Sequence, residues 1–208
     1  MSGDHDWLGA DAKRRVEQAV VALEARTSAE VVVTVRQSSG SYRAADLGFA
    51  SLVAGIGLFG YVYHPAEFAD DLVPPALLVL YLCAAFFCAQ VPGLRRLLVR
   101  TGTLRDSVRR SALTAFHEQR IDATSGRTGI LIYVSLFERV VEVVPDVGID
   151  AKRLGADFGR AVAEVTAAVR GDGVAQLERG LGQMAGPLAR VLPRAHDDVN
   201  ELPDGMVA

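Results

Sequence analysis

Leu47-Gly48-Phe49-Ala50-Ser51-Leu52-Val53-Ala54-Gly55-Ile56-Gly57-Leu58-Phe59-Gly60-Tyr61-Val62-Tyr63 carries no charged residue. As a helix rising 1.5 Å per residue, it would extend roughly 25 Å, slightly less than the ~30 Å hydrocarbon layer of a bilayer. A second run, Pro74 to Val91, is of similar length and rich in Leu, Ala and Phe. Either run alone reads equally well as the buried helix of a water-soluble core. Two in succession, joined by the short polar loop His64-Pro65-Ala66-Glu67-Phe68-Ala69-Asp70-Asp71, predict a transmembrane helical hairpin. Tyr61 and Tyr63 stand at the loop end of the first run, where interfacial aromatic anchors belong.

Working outward, composition supports this local reading. Half of the 208 residues are hydrophobic, yet from Ala44 to Val91 the only charged residues are Asp46, Glu67, Asp70 and Asp71. The rest is an ordinary globular mixture. Net charge is −3, so no general basic field draws the chain to nucleic acid, and none is expected as a partner. The start, Met1-Ser2-Gly3-Asp4-His5-Asp6-Trp7, lacks the basic and apolar regions of a secretory signal. Cys83 and Cys88 lie inside the second apolar run and read as small hydrophobes rather than a disulfide or zinc site.

Orientation follows from Lys and Arg. The loop has none, whereas Arg36 and Arg43 precede the first run and Arg95, Arg96, Arg100, Arg105, Arg109 and Arg110 follow the second. The positive-inside bias puts both termini in the cytoplasm and the acidic loop outside. Arg95, Arg96 and Arg100 are the candidate membrane-surface residues. Anionic lipid headgroups account for such a juxtamembrane cluster more simply than nucleic acid does.

Gly55-Ile56-Gly57-Leu58-Phe59-Gly60 matches the G-x-G-x-x-G dinucleotide fingerprint. That motif requires a strand before it and an amphipathic helix opening at it. Here it ends in Tyr61-Val62-Tyr63-His64-Pro65. Glycines in a membrane helix let backbones approach, and Ser51 with Gly55 supplies a small-xxx-small pair.

In the remainder, Val16, Ala19, Val20 and Leu23 give a helical period over 11–26, and the β-branched run Glu30 to Arg36 reads as a strand. After the hairpin, Leu104, Val108, Ala112, Ala115 and Phe116 mark a second amphipathic helix. Ile130 to Ser135 is a near-continuous apolar strand, as expected of a central one. Val140 to Val144 is its hairpin partner. Two further helical stripes run from Leu154 to Val169 and from Val174 to Val191, separated by Gly171-Asp172-Gly173. The predicted architecture is a small three-layer α/β/α sandwich of three strands and four helices, interrupted by the two-helix hairpin. Residues 1–43 supply the first helix and strand, 44–92 the hairpin and 93–192 the rest of the domain. Residues 193–208, with Asp197, Asp198, Glu201 and Asp204, read as a disordered acidic tail.

Three segments resemble the TPM-domain family, named from thylakoid-lumen, photosystem-repair and nematode receptor-modulator proteins. They are Leu23-Glu24-Ala25-Arg26-Thr27-Ser28-Ala29-Glu30-Val31-Val32-Val33; Thr124 with Arg127-Thr128-Gly129-Ile130-Leu131-Ile132-Tyr133-Val134-Ser135; and Glu138-Arg139 followed by Val143-Val144-Pro145-Asp146-Val147-Gly148-Ile149. The spacing suits a bacterial branch whose domain is interrupted by membrane helices. The resemblance covers roughly 10–40 and 105–192. It implies a multi-pass protein of the bacterial inner membrane and, through other members, acid phosphatase activity, calcium binding, or assembly and repair of membrane complexes. Members with phosphatase proposals carry an acidic cluster after the second hairpin strand. This chain has only Asp146, Asp150 and Asp157 there, interspersed with Lys152, Arg153 and Arg160.

The candidate acidic site is Asp146, Asp150, Glu138 and Glu30. Asp146 and Asp150 at a strand end could hold a hard cation, calcium or magnesium, through oxygen ligands. The simpler reading makes Asp146 a turn residue and Asp150 a helix N-cap, and no cofactor is then required. Glu30 and Glu138 read as edge and turn carboxylates at family positions, Thr27 and Thr124 as turn hydroxyls. His117-Glu118 lacks the second His of H-E-x-x-H, and no nucleophile elbow or Walker loop is present. The expected role is binding or regulating another membrane protein, and the alternative is a divalent-metal-dependent phosphatase acting on phosphomonoesters.

Overall fold

The computed structural model describes residues 6–65, 70–194, 201–202 and 206–207. Its fold is mixed α/β, with a three-stranded sheet ordered β1-β2-β3 and seven α-helices among those residues. The chain divides into two units, 1–39 with 105–208, and 40–104.

In the first unit, β1 (Glu30–Arg36) and β2 (Gly129–Ser135) run parallel, from Glu30 opposite Gly129 to Arg36 opposite Ser135. A parallel pair needs a crossover, and here that connection contains the whole second unit. Strand β3 (Val140–Pro145) returns antiparallel to β2. Every residue of β2 is buried, which explains its unbroken apolar run.

The two-residue period of the strands sorts their side chains. Val31, Val33, Val35, Ile130, Ile132 and Val134 join a core with α1 (Ala10–Glu24), α6 (Ala151–Ala167) and α7 (Val174–Val191). Val32, Leu131 and Tyr133 join a separate core with Val108, Ala112, Ala115 and Phe116 of α5 (Thr101–Glu118). Arg15 of α1 grips Glu178 of α7 through two hydrogen bonds, of 2.9 and 2.7 Å.

The tail departs from the sequence expectation. Residues 195–200, 203–205 and 208 lie outside the described residues, but Val207 forms a parallel bridge with Thr34. Val35 N donates to Val207 O at 2.8 Å, Val207 N donates to Val33 O at 3.0 Å, and Met206 is buried. Average composition hid this: Met206 and Val207 are two apolar residues at the end of an acidic segment, and a free edge of β1 was available to pair with.

The second unit consists of α2 (Arg43–Tyr63), α3 (Val73–Gln90) and α4 (Pro92–Leu98). Both α2 and α3 are long and apolar enough to cross a membrane, and only 11% of each most apolar stretch is buried. In this structure they are thus not packed as buried core helices. Gly57 is a point of close approach between them: a Cβ there would stand 2.8 Å from Leu80 Cδ2. Gly55, expected with Ser51 to let a neighbouring backbone approach, has nothing within 4 Å of such a Cβ, and the Ser51 hydroxyl donates back to Leu47 O at 2.9 Å. Helix α4 is the seventh helix, beyond the four soluble and two hairpin helices expected. Arg95 and Arg96, expected at the membrane surface, lie on this helix, and Pro92 at its first position favours helix initiation.

Candidate functional site

The loop before β2 and the turn after β3 are tied together by one carboxylate. Arg127 adopts a left-handed conformation, φ 54°, with its N–H donated to Thr124 O at 3.0 Å. Its Nε and Nη2 then reach Asp146 Oδ2 and Oδ1 at 2.8 and 2.9 Å. Asp146 Oδ1 also accepts from Val147 N at 2.7 Å. The Asp146 side chain is only 3% exposed, against 48% for Arg127. This bidentate hydrogen bond raises the Arg127 guanidinium above its ordinary pKa, with the charges of Asp146 and Asp122 adding to it and desolvation opposing.

Backbone closes the same joint. Asp146 N donates to Gly129 O and Gly148 N to Arg127 O, both at 2.9 Å. Gly148 has no room for a side chain, since a Cβ would lie 2.5 Å from the carbonyl oxygens of Gly126 and Arg127. Asp146 thus acts as a buried clamp whose oxygens already have three donors.

Asp150 precedes α6 and accepts from Lys152 N at 2.9 Å, the geometry of an N-cap. Glu30 opens β1, and its Oε1 accepts from Glu201 N at 2.9 Å, so it holds the C-terminal segment. Thr27 and Thr124 serve the backbone: Thr27 Oγ1 donates to Leu192 O at 2.7 Å, and Thr124 Oγ1 accepts from Thr128 N at 3.1 Å.

Glu138 is different. Buried in the β2–β3 turn, it accepts from Ser39 N at 2.9 Å, from Ser38 Oγ at 3.2 Å and from the Ser135 hydroxyl. Ser39 Oγ in turn lies 2.6 Å from Ser135 Oγ and 3.2 Å from Tyr133 Oη, while Ser111 Oγ donates to Ser39 O at 3.0 Å. This polar network sits at the carboxyl ends of the parallel strands, where open α/β sheets place ligands. It was not legible in the sequence, because Ser38 and Glu138 stand 100 residues apart along the chain. A polar Ser135 ending an apolar strand three residues before Glu138 was the available signal.

The four acidic candidates therefore have separate duties and separate partners. Among the described residues, no three His, Cys, Asp or Glu side chains gather as metal ligands do. Of the arginines expected at a membrane surface, Arg95 is engaged within its own unit: its Nε donates to Asp46 Oδ1 at 2.8 Å and its Nη2 to Oδ2. Arg96 is partly buried and Arg100 exposed.

No protein-family model matches this chain, and no curated protein does. A solved structure does: the NMR structure of BA42 protein from the psychrophilic bacterium Bizionia argentinensis superposes with a TM-score of 0.58 at 18% identity, over 100% of this chain and 99% of that one. This is a likeness of fold.

Proposed function

We propose that this is a TPM-like protein anchored in the bacterial inner membrane by α2 and α3, with both termini and the soluble domain cytoplasmic, and that it binds or regulates another membrane protein. The observation that carries the reading is the apolar surface of the hairpin. Leu52, Ile56, Phe59, Val62, Phe86 and Phe87 are all more than half exposed, far more apolar surface than a soluble monomer leaves in water. Lipid covers such a surface. The absence of Lys and Arg from the 64–71 loop and their abundance after α3 support the orientation. Helices on both faces of the sheet support the three-layer sandwich expected from the order of strands and helices.

A partner in the membrane suits the outward glycines: Gly48, Gly55 and Gly60 have open space where a Cβ would be, so a neighbouring helix can approach closely. The soluble unit favours binding over catalysis, because its candidate carboxylates are engaged in capping, clamping and anchoring. Fractionation of cells followed by native electrophoresis in mild detergent tests the proposal. The chain is expected in the alkali-resistant membrane pellet and in a species larger than its monomer. Recovery in the supernatant defeats the membrane reading, and a lone monomer defeats the partner reading.

A further inference from the structure

Four arginines of the first unit surround one cavity of about 620 Å³. Arg105 and Arg109 come from α5, four residues apart and so on one face. Arg139 comes from the β2–β3 turn, where it adopts φ 53°, and Arg170 from the turn after α6. Arg170 Nε donates to Arg139 O at 2.9 Å, which fixes the last two segments to each other. Between them runs β3, the edge strand of the sheet, contributing Val140, Val141 and Glu142.

Several other arginines of this unit have carboxylate partners: Arg15 has Glu178, Arg127 has Asp146, Arg179 has Asp172 and Arg190 has Asp157. Among the described residues, none of the four arginines at the cavity forms an ion pair. Asp106 and Glu142 also line it, so its formal balance is four minus two, or +2. Like charges drawn into a concavity raise one another's energy unless an anion joins them.

We infer that this cavity binds a phosphate group, carried either by a soluble phosphate compound or by the headgroup of an anionic lipid. Guanidinium forks match phosphate oxygens two at a time, which a flat, solvated surface of point charges does not. Cavity volume is ample for a phosphate with an organic group attached, and Val140, Val141 and Ala167 offer that group an apolar wall. The inference requires neither the membrane reading nor a catalytic step.

The experiment uses the full chain in uncharged detergent micelles and follows its thermal midpoint. Inorganic phosphate is titrated against chloride at matched ionic strength, and micelles doped with phosphatidic acid are compared with micelles doped with phosphatidylcholine. A rise with inorganic phosphate assigns the soluble source, and a rise with phosphatidic acid alone assigns the lipid. In either case Arg139→Gln with Arg170→Gln should weaken binding by on the order of tenfold or more, as expected when charge-assisted contacts are removed. Arg105→Gln with Arg109→Gln should do the same while leaving the Arg170–Arg139 hydrogen bond in place, so a folding defect in the first variant is not decisive. No rise with either probe overturns the inference, as does a rise that both double variants retain. A rise elicited only by a poly-glutamate peptide also overturns it, in favour of an acidic polypeptide.

Discussion

Val32 and Phe59 are both apolar residues in regular secondary structure, yet Val32 is 2% exposed and Phe59 is 64% exposed. The contrast extends to their units. In the first, alternate strand residues are taken up by helices on opposite faces of the sheet, and the apolar surface is closed internally. In the second, two helices meet along a seam at Gly57 and leave most of their large side chains outside. The hydrophobic effect operates on both, but only the first satisfies it alone. The two units leave their large apolar side chains exposed to very different degrees.

That comparison can be broken or sharpened by substitution. The largest effect is expected in the closed core: Leu131→Ala, at a fully buried position, should cost about 2–5 kcal/mol of stability by denaturant unfolding. Next comes Ile56→Arg on the open surface of α2. A charge at the centre of a lipid-exposed helix costs about 2.5–3.5 kcal/mol of insertion, so the variant should leave the membrane pellet. If water already covered Ile56, an exposed change would alter stability by no more than about 0.5 kcal/mol, and unchanged fractionation would erase the distinction between the units.

Asp146→Asn probes the clamp. It should lower the thermal midpoint by several degrees, with the same loss in calcium, in magnesium and in chelator. A midpoint that rises with calcium in the wild type alone, together with hydrolysis of a phosphomonoester that this variant lacks, would restore the metal-dependent phosphatase reading. Asp150→Ala should cost about 1 kcal/mol, the usual value of an N-cap.

The smallest effect concerns Asp122. Its carboxyl is held below the ordinary range by the hydrogen bond from His117 at 3.0 Å, with further help from His117 charge and opposition from desolvation. A folded-state pKa below the unfolded one means that the unfolded chain binds the extra proton. The contribution is therefore present above the unfolded value, about 3.9, and is lost as pH falls through the lower folded value. Unfolding curves below about pH 4 should depend less steeply on pH in Asp122→Asn than in the wild type.

Most of the architecture was readable because it is periodic or local. The uncharged runs mark α2 and α3, the β-branched and apolar runs mark the strands, and Asp150 ahead of a helical stripe marks a cap. What escaped depends on distant residues meeting. Arg127 finds Asp146 only once an uncommon backbone conformation and a glycine bring two loops together. Ser38, Ser39, Ser135 and Glu138 meet at strand ends some 100 residues apart along the chain. Arg105, Arg109, Arg139 and Arg170 come from three elements, and no local window contains them all.

The parallel pairing of β1 with β2 has a consequence for how the protein is made. Register partners Glu30 and Gly129 are 99 residues apart, and the whole inserted unit lies between them. At ~5–20 residues per second of ribosomal synthesis, β1 waits about 5–20 s before its neighbour exists. Throughout that interval Val31 to Val35 is a nascent aggregation-prone strand, and chaperone protection during translation is most needed there.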